Sequence, residues 1–244
     1  VPGVTISVEV VGDPARACSA MMLSAAIGGG EIVLTGGSTP RAAYQGFAAE
    51  AKAVGLDLSH TTFWLGDERC VDPGDDRANY RMIKESMLDP LAGSTGPVMH
   101  RIHGELGPER GAADYERTLR YLGPPPFDLV LLGIGSDGHM ASLFPGQDTL
   151  AERTRLVVGV PEAGLEPFVA RVSLTFTALA AARRIVFLAE GPGKADAIAR
   201  AFGPGARPDP AVPSSLLAPV AGSVTLLLDA AAAAGLAGPS GGAA

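Results

Sequence analysis

The chain has 244 residues, of which 47% are hydrophobic and 18% charged, with 32 glycines and 20 prolines. This is enough apolar chain for a full globular core, in one domain with or without a smaller lobe. The formal net charge of −7 and the lack of a dense basic face argue against a nucleic-acid-binding surface.

Strand-like and helix-like segments alternate along the chain. Thr5–Val11 carries β-branched residues and reads as a first strand; Asp13 or Pro14 then opens a helix to about Ile27, stopped by Gly28-Gly29-Gly30. Glu31–Thr35 is a short strand, followed by Gly36-Gly37-Ser38-Thr39 and a helix begun by Pro40, whose ring is preset for a first helical turn. Thr61–Leu65 is the next strand and feeds a charged loop, Gly66-Asp67-Glu68-Arg69. The pattern predicts a helix over Ala78–Leu88, a strand over Val98–Ile102 and a helix over Ala112–Leu122 ended by Gly123-Pro124-Pro125-Pro126. Phe127–Leu132 is a buried central strand, and Leu156–Val160 and Val169–Leu174 are two further strand candidates. Arg184–Ala189 is a strand that leads through Gly191-Pro192-Gly193 into a helix over Lys194–Phe202. Val224–Leu228 closes the sheet, and the Ala-rich tail after Asp229 is a short helix that frays. This order predicts an α/β fold over residues 1–244, with a mostly parallel sheet covered by helices on both faces.

Open α/β sheets place their chemistry at the C-terminal ends of their strands. The central strand ends in Gly133-Ile134-Gly135-Ser136-Asp137-Gly138-His139, a tight turn that presents a carboxylate and an imidazole ahead of an expected helix start. A histidine is the side chain suited to serve as base and then as acid at physiological pH, which makes His139 the candidate for that work. His60, His100 and His103 lie beside strands in less constrained settings. Gly36-Gly37-Ser38-Thr39 joins a strand to a helix N-terminus, where backbone N–H groups, hydroxyls and the helix dipole favour an anion such as phosphate. It lacks the lysine of a Walker A loop and the glycine spacing of a dinucleotide fingerprint. Asp67 and Glu68 stand at the mouth of a strand, and Arg69 or Arg77 can fork onto phosphate or carboxylate oxygens. Arg171 sits where strand meets loop. Lys194 opposes the dipole at a helix start, which an anion nearby would offset.

Cys18 and Cys70 supply neither a metal-binding pair nor a disulfide framework, and read as reduced thiols. Neither cysteine usage nor histidine spacing provides the ligands of a zinc site. Val1-Pro2-Gly3 lacks the basic and apolar regions of a signal peptide, and Ala230–Ala234 is too short to span a bilayer. These features predict a cytoplasmic protein without membrane or nucleic-acid partners, and the absence of a long apolar stripe or heptad repeat predicts a monomer.

Together, Leu34–Pro40, Trp64–Arg69, Asn79-Tyr80, Gly133–Gly146, Arg171–Thr175 and Gly193-Lys194 resemble, in order and spacing, the glucosamine-6-phosphate isomerase/6-phosphogluconolactonase superfamily, on its lactonase branch. The resemblance implies a Rossmann-like three-layer α/β sandwich without a nucleotide cofactor, and hydrolysis of 6-phospho-D-glucono-1,5-lactone in the oxidative pentose phosphate pathway. It implies His139 as general base, with phosphate held by Gly36, Gly37, Ser38, Thr39, Arg171 and Lys194, and with Arg69 and Arg77 lining the pocket. Asp67 or Asp137 orients the histidine or the water; Asp67 is favoured for that task, with Asp137 mainly holding the loop. The deaminase branch resembles the chain at the same loops but carries a Phe-Asn-Glu-Pro pattern after the histidine. Here the run is Ser142-Leu143-Phe144-Pro145, and Phe144 cannot transfer a proton. A non-catalytic sugar-phosphate sensor would need a DNA-binding segment before Thr5 or after Asp229, and none is evident there.

Overall fold

The computed structural model describes residues 5–93, 95–122, 126–217 and 223–236. The expected helix stop at Gly123–Pro125 and the fraying tail beyond Leu236 lie outside these residues. Seven strands form one wholly parallel sheet: β1 (Thr5–Val10), β2 (Glu31–Leu34), β3 (Thr62–Leu65), β5 (Val98–His100), β6 (Leu129–Leu132), β9 (Ile185–Ala189) and β10 (Ser223–Leu228). Their spatial order is β1-β10-β9-β6-β2-β3-β5, so β6 is central, as its run of four buried apolar residues requires. β10 lies inside the sheet and β1 takes the edge, a correction to the expectation that Val224–Leu228 closes it.

A second, antiparallel sheet holds β4 (Asp67–Arg69), β8 (Arg171–Leu174) and β7 (Val157–Val160), in the order β4-β8-β7. The expected charged loop over Gly66–Arg69 is therefore a strand. Gly66 alone separates it from β3, and its backbone is paired by β8, which places Arg69 opposite Arg171.

Helices α1 (Pro14–Ala26), α2 (Ser38–Ala53), α4 (Pro108–Leu122) and α6 (Ala195–Phe202) are joined by the short α3 (Asn79–Ile83), α5 (Phe176–Ala180) and α7 (Pro213–Leu217). Successive strand residues point to opposite faces. Phe63 accordingly packs edge-on against Phe47 of α2, while its neighbour Trp64 packs against Tyr115 of α4. The two helices thus cover opposite faces of the sheet and complete the three-layer sandwich. Removing a ring such as Phe63, fully buried, would cost about 3–5 kcal/mol. α2 begins at Ser38 rather than Pro40, so both loop hydroxyls belong to its first turn. The helix expected over Ala78–Leu88 is α3 running into a π-helical turn, Lys84–Leu88.

Two buried tyrosines fix the strand ends that carry the loops. Tyr44 of α2 donates its hydroxyl to the Thr35 carbonyl at 2.8 Å and accepts the Thr35 N–H at 2.9 Å, just after β2. Tyr115 of α4 does the same at the end of β3, donating to the Leu65 carbonyl at 3.0 Å and accepting its N–H at 2.8 Å. Each satisfies both the N–H and the carbonyl of a residue at the point where the chain departs from the sheet. Among the described residues, no helix is long and apolar enough to cross a membrane.

Candidate active site

Beyond β6 the chain makes a compact turn. Gly135 N–H donates to the His139 carbonyl at 2.8 Å, and Gly138 N–H to the Gly135 carbonyl at 3.0 Å. Gly138 adopts φ +90° beneath Val212, a conformation and a close approach that both call for glycine. The turn sets Asp137 Oδ1 to accept the backbone N–H of His139 at 3.0 Å and to meet its ring Nδ1 at 2.6 Å. Burial pushes the Asp137 carboxyl up, but the hydrogen bonds from His139 outweigh it and hold the group below the usual carboxylate range. An ionised Asp137 takes the hydrogen on Nδ1, so this partner assigns the tautomer and leaves the Nε2 lone pair as the ring's acceptor. The Phe144 ring, fully buried, backs the imidazole at 4.5 Å between centroids. No helix follows His139; residues 140–147 are turns around a Met140–Leu143 bridge, with Ala141 in the left-handed region at φ +47°.

His139 faces a cleft of about 310 Å³ at the C-terminal edge of the sheet. Gly36, Gly37, Ser38 and Thr39 line one wall, at the N-terminus of the 16-residue α2. Gly37, at φ +122°, turns the chain into that helix. Thr39 donates its hydroxyl to Glu190 Oε2 at 2.9 Å, which brings a second carboxylate into the cleft wall. Lys194, between a 3₁₀ turn (Pro192–Lys194) and α6, reaches back into the cleft and donates Nζ to the Ile134 carbonyl at 2.7 Å. Burial lowers its pKa, against the opposing pull of Asp137. Arg171 is 3% exposed; one of its terminal nitrogens donates to the carbonyls of Leu165 at 3.3 Å and Pro167 at 2.9 Å. Its guanidinium lies over the Phe144 ring, and the Nε atoms of both Arg171 and Arg69 are buried without a hydrogen-bond partner. The two arginines, paired across β4 and β8, thus bring two guanidinium groups to the cleft wall.

Asp67 is 5% exposed and lines the cleft, but it does not touch the imidazole. Its Oδ2 accepts from Ser142 Oγ at 2.6 Å and its Oδ1 from Asn79 Nδ2 at 3.2 Å. The hydrogen bonds thus place Asp137, and not the favoured Asp67, on His139. Glu68 points away from the cleft and accepts the backbone N–H groups of Arg69, Asn79 and Tyr80, each at 2.7 Å. Burial pushes its pKa up to about 7 in spite of those three donors.

Gly36, Gly37, Ser38, Thr39, Asp67, Arg69, His139, Arg171 and Lys194 therefore converge on one cleft, with Asp137 directly behind the imidazole. Arg77 does not reach it. Its guanidinium forks onto Asp75, at 2.9 Å from Nε and 2.7 Å from Nη2, and only its carbonyl meets the site by accepting from Arg69. Sequence reasoning left out Asn79 and Glu190 as cleft residues, although Asn79-Tyr80 stood among the recurring pieces. Of the other histidines, none of which lines the cleft, His100 stacks on Trp64 and His103 pairs with Asp114 at 2.7 Å. Among the described residues, no group of three or more His, Cys, Asp or Glu side chains is arranged to hold a metal ion.

Fold and site together define an open α/β protein with an imidazole–carboxylate pair set in a cleft at the sheet's C-terminal edge, lined by Arg69, Arg171 and Lys194 as well as by Asp67 and Glu190. The chain belongs to the glucosamine-6-phosphate isomerase/6-phosphogluconolactonase family, which it matches over residues 11–226. It is 38% identical over 188 residues to a 6-phosphogluconolactonase of Mycobacterium tuberculosis, covering 73% of this chain and 75% of the relative. A 6-phosphogluconolactonase of Nostoc is 36% identical over 215 residues, or 84% of each chain. Among solved structures, the 6-phosphogluconolactonase of Trypanosoma brucei superposes with a TM-score of 0.80 at 28% identity, covering 96% of this chain and 99% of that one.

Proposed function

We propose that this protein is a carboxylic ester hydrolase that opens 6-phospho-D-glucono-1,5-lactone to 6-phospho-D-gluconate, in the oxidative pentose phosphate pathway. The observation that carries the reading is the His139–Asp137 pair, 2.6 Å apart, in the same cleft as the α2 N-terminus, Arg171 and Lys194. The names of the relatives support the choice of substrate.

A lactone is an activated ester and needs no covalent nucleophile. Nε2 of His139 takes a proton from water as it attacks C1, and the imidazolium then returns a proton to the departing ring oxygen. Asp137 fixes the tautomer and stabilises the imidazolium. Asp67, held by Asn79 and Ser142, orients the water or a sugar hydroxyl from the opposite wall. Backbone N–H groups and a cleft arginine stabilise the tetrahedral oxyanion. The phosphate binds at Gly36–Thr39 with Arg171 and Lys194, and anchoring that remote group turns binding energy into orientation of C1. In the run Ser142-Leu143-Phe144-Pro145, the fully buried Phe144 stands in sequence where the deaminase branch's Phe-Asn-Glu-Pro pattern has its glutamate, and it offers no proton for opening an aminosugar ring.

The test offers the purified protein freshly prepared lactone and, separately, glucosamine 6-phosphate. Acid release from the lactone well above the spontaneous rate, with no ammonia from the aminosugar, is the expected result. Stoichiometric ammonia, with lactone decay no faster than in buffer, would overturn the assignment.

A further inference from the structure

Asn79 enters the chemistry above only as one partner of Asp67, yet it is buried and lines the cleft together with Gly36 and Asp67. Its backbone is fixed from below. Glu68, two per cent exposed, accepts the N–H groups of Asn79 and Tyr80 and so holds the first turn of α3. The side chain then gives its amide to a single neighbour: Nδ2 donates to the Asp67 carbonyl at 2.9 Å and to Asp67 Oδ1 at 3.2 Å. Its other end presses on the anion-binding loop, where a Cβ on Gly36 would lie 2.0 Å from Asn79 Oδ1 and 2.7 Å from Cγ. Only glycine fits beneath it.

The second oxygen of Asp67 is held from the opposite side by Ser142, which closes the turn that carries His139. The carboxylate therefore has one donor on each oxygen, and the donor on Oδ1 is also the spacer that sets its distance from the Gly36 loop. We propose that Asn79 is a positioning residue: it locks the Asp67 carboxylate toward the cleft and ties it to the anion-binding loop, so that both engage one substrate in a fixed relation. The proposal rests on the lactonase reading only for the substrate used to test it. Without Asn79 the Asp67 side chain is free to turn about its Cα–Cβ bond, and a misplacement of about 1 Å in a reacting group costs up to roughly 10²-fold.

The test pairs a structure with a double-mutant cycle. In the crystal structure of Asn79→Ala, Asp67 should leave the rotamer that meets Ser142, or occupy several; an unmoved Asp67 overturns the proposal whatever the activity. In kinetics, Asn79→Ala should lower kcat roughly 10- to 100-fold with KM changed by less than about threefold, since the loss falls on orientation rather than on binding. Added to Asp67→Asn, it should cost less than about a further twofold, because both changes remove the same carboxylate function. Losses that simply multiply would show Asn79 to be a packing residue that acts elsewhere. Asn79→Asp, of nearly the same shape, guards against misfolding as the explanation: it must lose at least as much kcat as the alanine variant, because a carboxylate has no proton to give Asp67. If Asp67 turns in Asn79→Ala while the unaltered protein opens no lactone, the substrate reading fails and the positioning role stands.

Discussion

Gly135 is the position at which a single methyl group would separate the fold from the chemistry. A Cβ built there lies 2.1 Å from His139 Nδ1, 2.3 Å from Cε1 and 2.5 Å from Asp137 Oδ1. The backbone of Gly135 is outside the left-handed region, so alanine meets no conformational barrier and the clash alone decides the outcome. Ordinary contact begins near 3.4 Å, and the imidazole must therefore give way by about 1.3 Å. That displacement breaks the 2.6 Å bond to Asp137 and moves Nε2 off the position from which it is proposed to activate water. A misplacement of this size costs about 10²-fold, and loss of general-base function as a whole costs about 10²–10⁴-fold. Gly135→Ala should therefore lower kcat by at least ~10²-fold, while overpacking destabilises the protein by about 1–3 kcal/mol. Lactone hydrolysis is followed by acid release with the spontaneous rate subtracted, alongside the thermal transition to confirm folding. A folded Gly135→Ala protein with kcat within about threefold of the original would refute the placement of the reacting water at His139.

Arg171→Ala and Lys194→Ala should each raise KM for the phosphorylated lactone by about 1.5–3 kcal/mol of lost charge-assisted binding, and much less for the same lactone without phosphate. Equal losses on both substrates would show that neither residue reads the phosphate. Glu68 ties stability to pH: its folded pKa of about 7 lies above the ordinary 4.5, so the native state holds the proton more tightly. Its contribution is complete below about pH 4.5 and is lost as pH rises through 7, a fall of about 3 kcal/mol. Glu68→Gln should flatten this slope in denaturant titrations read from Trp64, the only tryptophan, and an unchanged slope would assign it to other groups. EDTA should leave lactone hydrolysis intact, since a tethered imidazole activates water without Lewis acidity; loss of activity restored by a divalent cation would contradict that.

The parallel sheet was legible because its inner strands β6 and β9 are short apolar runs buried throughout, and because the strands β1, β2 and β9 lead into helices with their own start or stop signals. The Asp137–His139 turn and the Gly36–Thr39 loop were legible for the related reason that glycines and reactive side chains stood together at strand ends. Strand β4 was not. Asp67-Glu68-Arg69 has little intrinsic preference for a strand, and it forms one because β8, distant in sequence, supplies its partner. From that pairing follow the burial of Asp67 and Glu68, their links to Ser142 and Asn79, and the meeting of Arg69 with Arg171, none of which spacing reveals. Arg77 shows the converse error. Its proximity in sequence to Arg69 suggested the cleft, but the nearest carboxylate, Asp75, claims its guanidinium. The helix expected after His139 failed because the chain instead doubles back through Ala141 at positive φ and brings Ser142 to Asp67.

The central claim is that His139 moves the proton while other groups hold the ligand, and His139→Asn tests it most directly. Asparagine removes Nε2 but leaves the cleft's cations and the α2 N-terminus in place. Steady-state kcat on fresh lactone, corrected for spontaneous opening, should fall about 10²–10⁴-fold, equivalent to about 3–5 kcal/mol of barrier. The Kd for 6-phospho-D-gluconate, measured by calorimetry on the same sample, should change by less than about threefold. A variant that binds this product and turns over the lactone at a near-normal rate would remove His139 from the mechanism and contradict the account.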